Sequence, residues 1–124
     1  MQRAMVVDDS RAIRLILTRT LSELGYDVCQ AANGKEALSV LEGQQGSVSL
    51  VLVDWNMPEM NGLDFVKNVR SDGRYSEVKL MMVTTETQVE QMLAALEAGA
   101  NEYVMKPFTK EVIADKLRVL GVLQ

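Results

Sequence analysis

The sequence predicts a doubly wound α/β domain, in which a parallel five-stranded sheet carries helices on both faces. Three features of its 124 residues point there. Five short apolar runs alternate with stretches of helical periodicity. The runs are apolar at consecutive positions, so both faces of the sheet must be covered. No linker, repeat or low-complexity segment interrupts the alternation, and the length suits one domain with its own core.

The first run is Ala4–Val7. Behind it, Ile13, Ile16, Leu17, Leu21 and Leu24 keep helical spacing, with Ser10 at the N-cap and Gly25 where a left-handed residue ends a helix. The second run, Val28–Ala31, is the least apolar, and Asn33 with Glu36 then has capping-box spacing. The third, Leu50–Val53, runs directly into Asp54. The fourth, Leu80–Val83, is followed by Thr84 and Thr85. Thr87 with Glu90 opens the next helix, whose apolar stripe is Val89, Met92, Leu93 and Leu96 and whose stop is Gly99. The fifth run is Tyr103–Met105, and Ile113, Leu117 and Leu120 mark the last helix. Among the eight methionines, Met81–Met82 fit as core fillers, while Met57 and Met60 stand in a loop.

Composition excludes several function classes. A net charge of −4 with no basic stripe argues against a nucleic-acid surface. No apolar run approaches the roughly 18 residues of a membrane span, and no signal peptide opens the chain. Cys29 is the single cysteine, so no internal disulfide forms and a cytoplasmic setting is expected. Histidine is absent, which removes Ser-His hydrolysis, His-zinc sites and a phosphohistidine from this chain.

Polar residues gather where the strands end. Asp8 and Asp9 follow the first run, Asp54 the third, Thr84 and Thr85 the fourth, and Lys106 the fifth. In an open parallel sheet these ends share one edge, and ligands bind there at the topological switch point. Singly, each has a plainer role: Asp54 as a turn or cap residue, Asp8–Asp9 as partners of a helix N-terminus, Thr84 as a structural hydroxyl, Lys106 as a loop lysine. Jointly they describe a site. Two carboxylates about 4 Å apart repel by roughly 4 kcal/mol at an effective dielectric near 20. Three carboxylates with one lysine leave a deficit that a divalent cation would fill. All-oxygen ligands, too few for a calcium cage, favour Mg²⁺. A neutralised carboxylate beside Mg²⁺, a lysine and a hydroxyl is equipped to attack a phosphoryl group, which makes Asp54 the expected acceptor.

The fragments VVDDS, LVDWNMPEMNGL, MMVTTE and AGANEYVMKPFT, in that order, resemble the receiver domains of bacterial response regulators. The likeness extends over essentially the whole chain and is greatest to stand-alone chemotaxis regulators. It implies a flavodoxin-like (βα)5 fold with strand order 2-1-3-4-5. It also implies that Asp54 takes a phosphoryl group from a phosphohistidine on a sensor kinase. Asp9 would bind Mg²⁺ directly, Asp8 mainly through water, and Asn56 through its backbone carbonyl. Thr84 and Lys106 would each engage a phosphoryl oxygen, and the Lys106–Pro107 bond would be cis, an isomer that proline makes accessible. Tyr103, otherwise an edge-strand aromatic half covering the core, would be the switch aromatic that follows Thr84 inward. The face built from the fourth helix, fifth strand and fifth helix would then change its affinity for partners.

Within that family Asn56 and Glu86 occupy lifetime-tuning positions, and Thr85 departs from the alanine common in chemotaxis regulators. Trp55 is expected to be a partly exposed loop aromatic whose fluorescence reports the metal. Expected partners are a chemotaxis-type sensor kinase, a flagellar motor switch protein and a phosphatase. The chain is expected to act as a monomeric single domain, residues 1–124, without an output domain. It would accept and slowly lose phosphate without being a multi-turnover enzyme. A stand-alone receiver in a phosphorelay or acting on another partner is the alternative. A phosphatase of the haloacid dehalogenase type would need a second Asp where Asn56 stands. An FMN binder would need a Ser/Thr/Gly-rich loop where Asp8 and Asp9 would repel phosphate.

Overall fold

The structure, a computed structural model, describes residues 2–44, 47–57, 59–85 and 89–123. The elements alternate as β1 (Arg3–Val7), α1 (Arg11–Glu23), β2 (Asp27–Ala31), α2 (Gly34–Gln44), β3 (Val48–Asp54) and α3 (Gly62–Arg70). A 3-10 turn at Gly73–Tyr75 precedes β4 (Lys79–Thr85), α4 (Val89–Ala98), β5 (Glu102–Lys106) and α5 (Lys110–Val119). All pairings are parallel, in the order β2-β1-β3-β4-β5. Every apolar run lies within its strand.

Period-2 alternation divides the core into two halves. Met5, Val7, Val51, Val53, Leu80 and Met82 face α2, α3 and α4, where Leu41, Phe65, Val66, Val69 and Ala95 meet them. Ala4, Val6, Leu50, Leu52, Met81 and Val83 face α1 and α5, against Leu17, Leu21, Ile113 and Leu117. Leu50 to Val53 are fully buried, each contributing about 1.5–3 kcal/mol. A one-residue slip would exchange the two faces of β3, so the register is firmly held.

Local signals act where the sequence places them. Ser10 Oγ accepts from the Ile13 N–H, and Asn33 Oδ1 accepts from the Glu36 N–H. Gly25 and Gly99 have φ of 101° and 123°, the left-handed values that a helix stop requires. Asn61 and Thr109 cap α3 and α5, caps the sequence had not singled out. Thr87 lies outside the described residues. Met57 and Met60 are partly buried against the α2–α3 half of the core, so they pack.

One side chain ties the base of the sheet to the helices. Arg70, at the end of α3, donates to the carbonyls of Gly99, Tyr75 and Val78 and to Asn101 Oδ1, at 2.7–3.0 Å. Burial lowers the pKa of its guanidinium from the usual value. Asn101 in turn accepts from the Leu80 N–H at 2.8 Å. Replacing Arg70 by Met strands these acceptors and should cost about 2–4 kcal/mol. In urea unfolding the midpoint should fall by roughly 1–2 M, and Arg70→Lys, without the planar fork, should recover less than half of the loss.

Candidate functional site

Strand register assembles the site. Val7 pairs with Val53, which sets Asp8 level with Asp54 across the gap between β1 and β3. Asp54 pairs with Val83, so Thr84 stands one step further along β4. Thr84 pairs with Met105 and Thr85 with Lys106, which completes the row. Because β2 lies on one side of β1 and β3 on the other, the chain changes direction at this gap, where an open α/β sheet forms its binding crevice.

Asp8 and Asp54 are buried, at 1% and 6% exposure, whereas Asp9 and Asn56 are exposed. Carboxylate oxygens of Asp8, Asp9 and Asp54 all lie within 4.8 Å of one another. The Lys106 ammonium bridges two of them, 3.4 Å from Asp54 Oδ1 and 3.5 Å from Asp8 Oδ2. The Ser10 N–H donates to Asp8 Oδ1 at 2.9 Å. Asp8 Oδ2 is buried, ion-paired to Lys106 and, among the described residues, without a hydrogen-bond donor. Thr84 is buried at the crevice floor. The Lys106–Pro107 bond is cis, as the resemblance implied.

Burial is the main influence on both inner carboxyls. It raises the Asp54 pKa, and the neighbouring Asp8 charge raises it further; Lys106 and the Asn56 backbone N–H act the other way. Asp8 is likewise raised by burial, against the Ser10 N–H and Lys106. Among the described residues the crevice therefore holds more negative charge than its one lysine offsets, and its oxygens suit a hard cation.

Trp55 corrects the sequence reading. It is only 7% exposed and belongs to the core half under α2 and α3. The loop after Asp54 turns back, so that the Gly62 N–H donates to the Trp55 carbonyl at 2.9 Å. Gly62 permits this closure: a Cβ there would meet Met82 Cε at 2.7 Å and the Asp54 carbonyl oxygen at 2.8 Å. The glycine was visible only as part of the NGL fragment, and its steric reason appears once the loop is closed. Arg14 was missed too. From the first turns of α1 it donates to the Asp8 carbonyl at 2.6 Å, holding the backbone that carries the inner carboxylate. Among the lifetime positions, Asn56 is at the rim and Thr85 ends β4, while Glu86 lies outside the described residues.

The family model for the response regulator receiver domain matches residues 4–118. The chain belongs to the response-regulator receiver family. This receiver is 48% identical over 119 residues to Chemotaxis protein CheY1 of Helicobacter pylori, covering 95% of each chain. It is 46% identical over 121 residues to the Chemotaxis protein CheY homolog of Campylobacter jejuni, covering 96% of this chain and 92% of that one. Among solved structures, Chemotaxis response regulator CheY4 of Vibrio cholerae superposes with a TM-score of 0.88 at 36% identity, covering 97% of this chain and 98% of that one. The receiver is thus a component of two-component signalling, in a family where phosphorylation is the general switch. Receivers bind Mg²⁺ through acidic residues, and the cluster at the crevice supplies such residues here.

Two outcomes follow from this geometry. A carboxyl whose pKa is raised in the fold holds its proton more tightly than the unfolded chain does. Stability therefore falls as pH rises from the ordinary 3.8 through the raised values, and the full cost is present above them. Asp54→Asn or Asp8→Asn should raise the thermal midpoint by roughly 2–6 °C at pH 7 in EDTA, a gain that shrinks on acidification. A lowered midpoint would show the charges to be already compensated. Gly62→Ala should cost about 1–3 kcal/mol in urea unfolding and shift the emission of Trp55, which sits against the displaced backbone.

Proposed function

We propose that this receiver is a phosphorylation-dependent signalling switch whose acceptor is Asp54. The observation that carries the reading is the pair of buried carboxylates, Asp54 and Asp8, bridged by Lys106 at the carboxyl edge of the sheet. A structural ion pair would need one carboxylate for one lysine, and the surplus charge argues for a reacting group. An Asp54 oxygen attacks the phosphorus of a sensor kinase phosphohistidine. The new O–P bond forms as the P–N bond breaks, and the imidazole leaves with its electron pair. Lys106 moves onto the transferred group's oxygens, and the Thr84 hydroxyl donates to another.

The residues fit Mg²⁺: Asp8 Oδ2 is a buried acceptor without a hydrogen-bond donor among the described residues, beside two further carboxylates. Asp8, Asp9, Asp54 and the Asn56 carbonyl would hold it, and the ion would neutralise phosphoryl oxygens as charge builds on them. With Thr84 drawn inward, Tyr103 follows, and the surface of α4, β5 and α5 changes. That surface already exposes Val89, Leu93, Met105 and Val112, apolar groups a partner can cover.

Similarity to the chemotaxis proteins of Helicobacter and Campylobacter favours a flagellar motor switch protein as that partner and a chemotaxis-type kinase as donor. In this reading the receiver acts as a monomeric single domain in the cytoplasm and is cleared of phosphate by slow self-hydrolysis or a phosphatase. Among the described residues no helix is long and apolar enough to cross a membrane.

Incubation with acetyl phosphate and Mg²⁺ should add one phosphoryl group to the peptide carrying Asp54. The label should be absent from Asp54→Ala and after EDTA, and Lys106→Met should slow its appearance by about 10²-fold. Binding to a flagellar switch protein should tighten about 5–150-fold on phosphorylation. Label on another residue, or unchanged binding, would overturn the acceptor or the partner respectively.

A further inference from the structure

The switch aromatic is not free at the sheet edge. β5 is an edge strand, and its residues alternate between the two halves of the fold. Tyr103 packs with the half under α4, whereas Val104 belongs to the half under α5. Glu102 and Lys116 bind across that edge. The Lys116 ammonium, carried on α5, stands 3.3 Å from Glu102 Oε1 and 4.8 Å from the centroid of the Tyr103 ring. The same Glu102 oxygen accepts from the Tyr103 backbone N–H at 2.9 Å. One carboxylate thus fixes both the backbone of the aromatic residue and the cation above its ring. With side chains only 18% and 31% exposed, Glu102 and Lys116 are partly shielded from water, which strengthens both contacts over their surface equivalents.

We infer that Glu102 and Lys116 form a latch that holds Tyr103 in its unphosphorylated position, making Lys116 a positioning residue of the switch. This rests on the reading of Tyr103 as the switch aromatic and names a control on it. Inward rotation takes the ring away from the ammonium, so the cation–π contact exists in one state only and biases the equilibrium toward that state. The Glu102–Lys116 pair survives rotation and keeps the ammonium in place for the ring's return. The latch therefore sets how much signal the protein emits before any phosphate arrives. It acts without touching Asp54, Thr84 or Lys106.

The test uses the full chain labelled with 3-fluorotyrosine, whose three tyrosines give three ¹⁹F resonances, Tyr103 being assigned by Tyr103→Phe. Beryllofluoride with Mg²⁺, standing in for the phosphoryl group, defines the inward position. In the absence of beryllofluoride, Lys116→Met should raise the inward population about three- to tenfold. Glu102→Gln should move it part-way, and Lys116→Arg should stay with the native protein. The Tyr26 and Tyr75 resonances, in the buried core, should not move and so report an intact fold. A Tyr103 resonance that answers beryllofluoride but is indifferent to Lys116→Met overturns the latch alone. A native Tyr103 resonance indifferent to beryllofluoride overturns the switch reading beneath it, and the latch with it.

Discussion

Among the described residues, three carboxylates and one ammonium share the carboxyl edge of this sheet, and most of the molecule exists to keep them there. Left alone, Asp8 and Asp54 would separate or neutralise, since burial raises the proton affinity of both, the Asp8 charge raises that of Asp54 further, and the Asp9 charge that of Asp8. They stay because their backbones are the last links of β1 and β3, whose preceding residues are among the most deeply buried in the fold. Burial of Leu50 to Val53 alone outweighs the repulsion at their end. The site is thus a strained edge on a strong sheet. On the proposed reading, its surplus charge is what would give it affinity for a cation and reason to exchange a carboxylate for a phosphoryl ester.

The two ends of the sheet divide the labour. At the amino end Arg70 spends its fork on four neutral acceptors and locks α3 to Gly99, just beyond α4, and to the approach to β4. That network is complete, so it has little reason to change. At the carboxyl end negative charge is in surplus, and Asp8 Oδ2, though ion-paired to Lys106, lacks a hydrogen-bond donor among the described residues. A switch needs this asymmetry, because a signal can be read only against a part of the molecule that does not respond.

Much of this was legible in the sequence, for a definite reason. Runs such as Leu50–Val53 admit one placement, and strand ends in a parallel sheet share one edge, so Asp8, Asp54, Thr84 and Lys106 could be brought together before any coordinates. What stayed hidden depends on closure in space. Trp55, followed by Asn, Met and Pro, reads as a loop aromatic, yet the loop returns through Gly62 and buries it. Arg14 carries no motif that marks it in the sequence, and only the approach of α1 to β1 brings it to the Asp8 carbonyl. Glu102 and Lys116 are 14 residues apart and meet only around an edge strand.

The energies explain why such an edge contact can matter. A large-to-small core substitution in this fold would cost about 2–5 kcal/mol, a large share of the total stability. Two arrangements of a surface differ by less, about 1–3 kcal/mol in typical coupled systems. Phosphorylation must cross that gap from one direction, and any contact present in one state only shifts the starting point by its full worth. A half-shielded ammonium over an aromatic ring is worth roughly 0.5–2 kcal/mol, a sizeable share of the gap and a negligible part of the total stability. The residues that tune such a switch can therefore lie on the edge strand and α5, where changes leave the core and the acidic crevice intact, and relatives with the same crevice can differ there in resting output.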